Sequence, residues 1–506
     1  MLMQFYLISL LCFLRSALSQ IPNAIQNNVV DDFSYAGYKS ALSYPNYLNS
    51  DWKLINVQNF GAVPNDGIDD TAAIQAAINS APSDAIIMIP AGNYTITTQL
   101  LVENKQNFSI VGDSSGKTIF YSSFNGEDAK DPRFDNYQYG LAGHLLYFRS
   151  DNWLDDSATL TVQAKKGDFV LTVNNVSKFQ PGQAISIRIS DLNQNVSPSI
   201  WAYFHNVTQN IWMGQTQKLM NENMYYRIKS VNATKKQITL YEPLRTNLYL
   251  SWQPVITRVM YYCQNVGVSF LTFQFSNLTR PGHIFYKGYN GLGYRGCQDF
   301  WGKSLTFNNT DHGIMLYTSY GGLFKDINFI GRGGHHGIDV NFCSSVVFHG
   351  LYFNTVLQHI HDATVSDLTN YAIISNGRSN FPFGIDGHRK IPYQNLYTDF
   401  TSITWDASSG NWEDGPHFAR DNVFWGLGDS QVIVPSSLWP ENPDIESFYC
   451  YQNKFITKQF TQEYKTLAAK CKNVYNEEVP NLSIPNLYLY QLQQRCFPCF
   501  RQLSLW

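Results

Sequence analysis

Nine of the eleven histidines lie between His283 and His417, interleaved with aspartates and arginines, a set of side chains suited to moving protons near neutral pH. Six of them form a ladder, His283, His312, His336, His361, His388 and His417, with steps of 29, 24, 25, 27 and 29 residues. Alternate side chains of an extended strand face alternate ways. By that parity His312 shares a face with Ile314 and Leu316, His336 with Ile338 and Val340, and His361 with Ala363 and Val365, so a strand reaching back to the ladder turns it inward. Asp311 and His335 at −1 from a ladder position, Asp362 and Arg389 at +1, and Asp339 and Arg420 at +3 then face the other way. Where the strands instead begin after the histidines, His336, His361 and His388 stand at corners and join Asp339, Asp362 and Arg389 in one outward groove.

Two reactions use such a strip. Removing a proton α to a carboxylate needs a base within hydrogen-bond reach and a positive group to hold the developing enolate; His335, His336 or His361 supply the base, and Arg389 or Arg420 the charge. Hydrolysis of a glycosidic bond needs two carboxyl groups, which Asp311, Asp339 and Asp362 offer on successive repeats. The catalytic candidates are therefore His335, His336, Asp339, His361, Asp362, His388 and Arg389, with Asp311, Arg332, Arg420, Trp201 and Tyr203 as substrate contacts. His335, His359 and His361 alternate and could meet at a metal, but no run of acidic residues marks a calcium site, and the expectation carries neither metal nor cofactor. A glycan-binding solenoid without activity is the non-enzymatic alternative; it accounts for the aromatic residues and leaves the concentration of histidine unexplained.

Something must hold these residues in register. Leu305-Thr-Phe307, Ile327-Asn-Phe329 and Leu351-Tyr-Phe353 are short apolar runs stepped by 22 and 24 residues, in time with the histidines. A period in that range built from β-type runs broken by Gly, Asn and Ser predicts one turn of a parallel β-helix per repeat. Upstream, Asp70 or Thr71 can cap a helix whose Ile74, Ala77, Ile78 and Ala81 form one stripe and which Pro82 closes. The strand Ala85-Ile-Ile-Met-Ile89 and the turn Pro90-Ala-Gly-Asn-Tyr94 follow. A solenoid needs such an amphipathic helix at an open end to keep apolar rungs from water.

The run Phe60-Gly-Ala, Asn65-Asp-Gly, Asp69-Asp70-Thr71, Ala73-Ile74-Gln75, Ala77 and Ile89-Pro90-Ala91-Gly92-Asn93-Tyr94 resembles the opening of the pectate-lyase-like right-handed β-helix superfamily, over about residues 52–122. That superfamily includes pectate lyases, rhamnogalacturonases and exo-glucanases. The resemblance implies an all-β, right-handed parallel β-helix acting on a polysaccharide, an anionic one on the reading of the strip as a lyase site, with hydrolysis as the alternative. In the lyase branch Arg or Lys often serves as base beside acid-bound calcium, which this sequence does not show. Asn309-Thr-Asp311 and Gly334-His-His-Gly337 are similar to two motifs of the polygalacturonase family, yet the paired aspartates between those motifs are absent, and that family's catalytic roles are not carried over.

Residues 158–246 break the rungs with alternating strands, including Phe169-Val-Leu-Thr-Val173 and Tyr226-Arg-Ile-Lys-Ser-Val231, and predict a lateral antiparallel β insertion beside the groove. Residues 1–19 read as a signal peptide, 20–157 as the cap and first rungs, 247–430 as the rungs carrying the site, and 431–506 as a cysteine-containing tail. Nine Asn-x-Ser/Thr sequons fit export and N-glycans. Cys450, Cys471, Cys496 and Cys499 crowd the last 57 residues and predict at least one disulfide among them. A net charge of −3 with 15% charged residues excludes a basic nucleic-acid binder, and no run beyond the leader is long and apolar enough for a membrane span.

Overall fold

The computed structural model describes residues 22–125, 143–150, 153–190, 198–205, 222–279, 286–388, 392–401, 403–406, 419–427, 452–460, 462, 465, 474–480 and 482–505. The leader, His283, Arg389, His417, Cys450 and Cys471 lie outside them.

The capping helix spans Thr71–Ser80 and buries Ile74, Ala77 and Ile78. Its first turn is held by Asp69, whose Oδ1 accepts from the Thr71 amide at 3.0 Å. Asp70, the expected cap, instead accepts from the amides of Val63 at 2.8 Å and Thr95 at 3.2 Å, tying the helix to the first rungs.

Rungs then stack in parallel into two long sheets. The larger runs through Ala85–Met88, Gln106–Val111, Cys263–Ser269, Cys297–Asn308, Tyr320–Gly331, Ser344–Thr355, Asn370–Ser379 and Leu396–Phe400. The smaller runs through Leu100–Glu103, Leu146–Arg149, Asn290–Arg295, His312–Tyr317, His336–Asn341, His361–Ser366, Phe383–His388 and Ile403–Asp406. Gln106–Val111 pairs directly with Cys263–Ser269, so the solenoid continues past everything inserted between them. This is the parallel β-helix that the periodic runs predict. Their phenylalanines stack along the axis inside it: Phe307 on Phe329 at 5.3 Å, and Phe329 on Phe353 at 4.3 Å with ring planes 10° apart.

The inserted sheet is antiparallel and runs wider than the alternating pattern suggests, from Trp153–Thr159 to Val255–Met260. It does not lie beside the histidines. Tyr225 donates its amide to Ser344 Oγ at 3.5 Å, and Arg227 pairs with Asp299, so the sheet docks where the long strands of the larger sheet begin. That is the opposite end of His312–Tyr317 and His336–Asn341 from the ladder, because buried charge pairs anchor it there.

The outer face of the larger sheet is also covered. Trp301, Leu323, Val347, Ile373, Leu396 and Val423 stand in register along it and form one cluster with Phe33, Tyr38, Leu487, Tyr488 and Leu492 from the two ends of the chain. Between the C-terminal helices Leu487–Arg495 and Phe497–Leu505, Cys496 forms a disulfide with Cys499 in the first turn of the second, one of the pairings expected.

Candidate active site

On the smaller sheet, Ile314, Ile338, Ala363 and Ile385 lie in one register row, and Leu316, Val340 and Val365 in another, all fully buried in the core. Between them Met315, Asp339, Thr364 and Asp386 form the outward row. His336 is even-numbered like Ile338, so parity places it inside. It is not inside: its Nδ1 lies 3.4 Å from Asp339 Oδ2, on the outward side. The break in alternation falls at the glycine that follows His336 and, one rung earlier, at the one that follows His312. A Cβ on Gly337 would meet the Phe353 ring at 2.4 Å, and one on Gly313 the Phe329 ring at 2.3 Å. Those two positions point at the phenylalanine stack, so two successive residues face inward and the preceding histidine is thrown to the other face. At positions 313 and 337 the phenylalanine stack leaves room for glycine alone.

The result is a packed set of imidazoles. His312 and His336 have ring centroids 4.6 Å apart, His336 and His361 5.0 Å, and His335 and His336 4.2 Å. Tyr286 stacks on His335 at 5.2 Å. All four histidines are buried. Burial and the neighbouring histidines push the His312 pKa well below the ordinary imidazole value, and burial lowers that of His144 to about 4, so both stay neutral.

Asp386 is the hub beside this set and is fully buried. Its Oδ2 accepts from Thr364 Oγ1 at 3.1 Å, lies 3.2 Å from His388 Nδ1 and 3.8 Å from His361 Nδ1. His388, with 22% of its side chain exposed, is the member of this group that reaches solvent.

Other expected members are placed elsewhere. Asp362 does not face the groove: its Oδ2 accepts from the Gly384 amide at 2.7 Å, and His359, 3.7 Å away, packs edge-on against Phe329 and Phe353 in the core. Asp362 occupies the corner slot of Gly337, which explains why it turns inward, and burial raises its pKa to about 7. His359 is therefore drawn to Asp362 rather than to a site with His335 and His361. Asp311 is buried too; it accepts from the amides of Gly288 at 3.0 Å and Tyr289 at 2.9 Å and pairs with Arg332, so both act as a clamp on the 286–289 segment rather than as substrate contacts. Arg420 and Tyr203 find each other, the guanidinium 4.1 Å from the ring centroid, and Arg420 also binds Asp421. The helix Ile200–His205 carries Trp201, whose side chain lies outside the described residues, as does Arg389.

Thr364, Asp386 and His144 were not among the expected residues. Aligning the rungs on Ile338, Ala363 and Ile385 puts Asp339, Thr364 and Asp386 in one column, a signal available in the sequence. His144 lies in a stretch with no repeat to align.

The family described as rhamnogalacturonase A/epimerase, pectate lyase-like, matches residues 54–339, which run from the strand Lys53–Asn56 ahead of the capping helix to Asp339. The chain belongs to that family. No curated protein matches it. Among solved structures it is similar to the tailspike protein gp49 from Pseudomonas phage LKA1, at 14% identity over 80% of this chain and 64% of the tailspike, with a TM-score of 0.44. It thus spans less than two thirds of that tailspike's length. It is also similar to the Family 28 exopolygalacturonase of Yersinia enterocolitica, at 14% identity over 81% of this chain and 71% of that one, TM-score 0.31. An iota-carrageenase complexed to iota-carrageenan fragments follows at 12% identity, 73% of this chain, 60% of that one and TM-score 0.34.

Proposed function

We propose that the protein cleaves an anionic, uronate-containing polysaccharide by β-elimination, with His388 as the base. The observation that carries this reading is the Thr364, Asp386 and His388 relay on the outward row of the smaller sheet. With the Nδ1 hydrogen of His388 pointing to Asp386 at 3.2 Å, the lone pair lies on Nε2, the nitrogen that would act as base. The buried carboxylate fixes that tautomer and stabilises the imidazolium formed when the proton α to the sugar carboxylate is taken. The α-carbon electrons then form a double bond to the β-carbon as its bond to the leaving glycosidic oxygen breaks; that oxygen takes a proton from water, and His388 returns its proton to solvent.

Hydrolysis is the second reading, favoured by one feature: Asp339 and Asp386 share the outward row two rungs apart, about 9 to 10 Å between backbones at ~4.8 Å per rung. Inverting hydrolysis uses carboxyl groups roughly 6.5–9.5 Å apart. Both aspartates are buried, whereas His388 reaches solvent, and this ranks elimination first. Incubation with a panel of uronate-containing polysaccharides distinguishes the two. Unsaturated products absorbing near the ultraviolet edge support elimination, and new reducing ends without that absorbance overturn it.

Export completes the proposal. No described helix is long and apolar enough to cross a membrane. Of the nine sequons, Asn93, Asn175, Asn232 and Asn277 are exposed and suited to carry glycans, while Asn107 and Asn308 are half-buried.

A further inference from the structure

We propose that His312, His336 and Asp339 bind a divalent transition-metal ion of the zinc class. Their ligand atoms lie within 4.8 Å of one another, and all three residues are buried. Both ring nitrogens of His312, both of His336 and Oδ1 of Asp339 are buried without a hydrogen-bond partner among the described residues. Buried polar atoms are otherwise almost always paired, and each orphan costs roughly 1–3 kcal/mol. One such atom from each of the three residues lies close enough to the other two for a single cation to satisfy all three. The 3.4 Å approach of His336 Nδ1 to Asp339 Oδ2 lacks hydrogen-bond alignment, so it leaves both groups available.

The donor set selects the ion. Two imidazoles and one carboxylate suit zinc, iron or nickel, whereas calcium takes six to eight oxygen ligands that this corner does not offer. Ligands at ~2.0–2.1 Å around a tetrahedral ion stand about 3.3 Å apart, so groups within 4.8 Å of one another need to close by at most about 1.5 Å. His335 and His361 flank His336 and, with it, form a second set of ligand atoms within 4.8 Å, so a shift of the ion along the corner keeps imidazole ligands around it.

The site stands on this geometry alone. Its use rests on the elimination reading: an ion one rung from Thr364 and two from Asp386 leaves open positions for the sugar carboxylate, and supplies the positive charge that proton removal α to that carboxylate requires. Arg332, the guanidinium on the neighbouring rung, is committed to Asp311.

The test uses the secreted chain, stripped with a chelator and titrated with zinc and with cobalt. One equivalent of zinc by elemental analysis, with a visible cobalt absorption band typical of four or five ligands, is expected. His336→Gln and Asp339→Asn should each weaken zinc binding by 100-fold or more, while His349→Gln, on the larger sheet, leaves it unchanged. Absence of stoichiometric zinc in the unaltered chain overturns the site whatever the variants do, as does undiminished binding in both variants. Zinc bound at one equivalent with no unsaturated product upholds the site and sinks the elimination reading. Product formed in the metal-stripped protein at the full rate separates the ion from the reaction.

Discussion

At the scale of single residues, two carboxylates one face apart have opposite roles. Asp386 is solvent-screened yet bonded to Thr364 and the Nδ1 of His388, whereas Asp362 sits among phenylalanines with one amide and His359 for company. His388→Gln and Asp386→Asn should each lower turnover by about 10²–10⁴-fold, because proton transfer in the transition state is worth that much, with the circular dichroism spectrum unchanged. Asp362→Asn should leave turnover intact and change the pH dependence of stability. The Asp362 pKa is raised from 3.8 to about 7. Between those values the folded chain holds a proton that the unfolded chain has released, so this residue's contribution is fully present below pH 4 and is lost as pH rises through 7. Asn does not titrate and still accepts from Gly384. The variant should match the parent in urea unfolding at pH 4 and exceed it at pH 8 by on the order of 4 kcal/mol. Equal stabilities at pH 8, or loss of turnover in a folded Asp362→Asn protein, would return Asp362 to the groove.

At the scale of elements, the corner between rungs decides which face a side chain takes. The apolar runs at Phe307, Phe329 and Phe353 were legible in the sequence because in-register stacking requires the same residue at the same step. The direction of the histidines was not, because parity counting assumes an unbroken strand and the glycines at 313 and 337 break it. The same blindness covers the asparagine stack on the other sheet, where Asn395 donates its amide to Asn422 Oδ1 at 3.0 Å and Asn422 to Asn453 Oδ1 at 2.9 Å. These residues come 27 and 31 positions apart, steps too uneven to read as a repeat. Gly337→Ala tests the corner. Its Cβ would sit 2.4 Å from the Phe353 ring and 2.6 Å from the Asp362 carbonyl oxygen, one of them rigid backbone. Overpacking of this kind costs about 1–3 kcal/mol. Urea unfolding of the variant should show that loss, and Gly337→Ala combined with Phe353→Leu should recover part of it. A Gly337→Ala protein as stable as the parent would mean that the corner has slack and that something else turns His336 outward.

At the scale of the whole molecule, the solenoid is wrapped by segments remote in sequence, and one buried charge cluster joins them. Glu242, in the insertion, accepts from Ser40 Oγ of the N-terminal segment at 2.8 Å, from the hydroxyl of Tyr320 at the start of a solenoid strand, and from Arg245. The Arg245 guanidinium lies between Tyr226, 4.4 Å away in the insertion, and Tyr371, 4.7 Å away in the solenoid, and also donates to Asn370. Sequence reading located the insertion by its alternating strands but had no means of seeing this junction, since its members come from four separated stretches and share no period. Removing one partner of a buried ion pair strands the other without compensation and costs about 3–5 kcal/mol, whereas replacing both by apolar groups of similar volume is often neutral. Glu242→Leu should therefore destabilise the protein strongly in thermal or urea unfolding. Adding Arg245→Met should restore much of the loss even though a second bond donor is gone. Because the cluster ties three segments together, the single variant should also expose the 242–245 stretch to limited proteolysis before the rungs unfold. If the double variant is no more stable than Glu242→Leu alone, the pair is not the junction, and the insertion is held by the tyrosine packing of Tyr225, Tyr261 and Tyr320 instead.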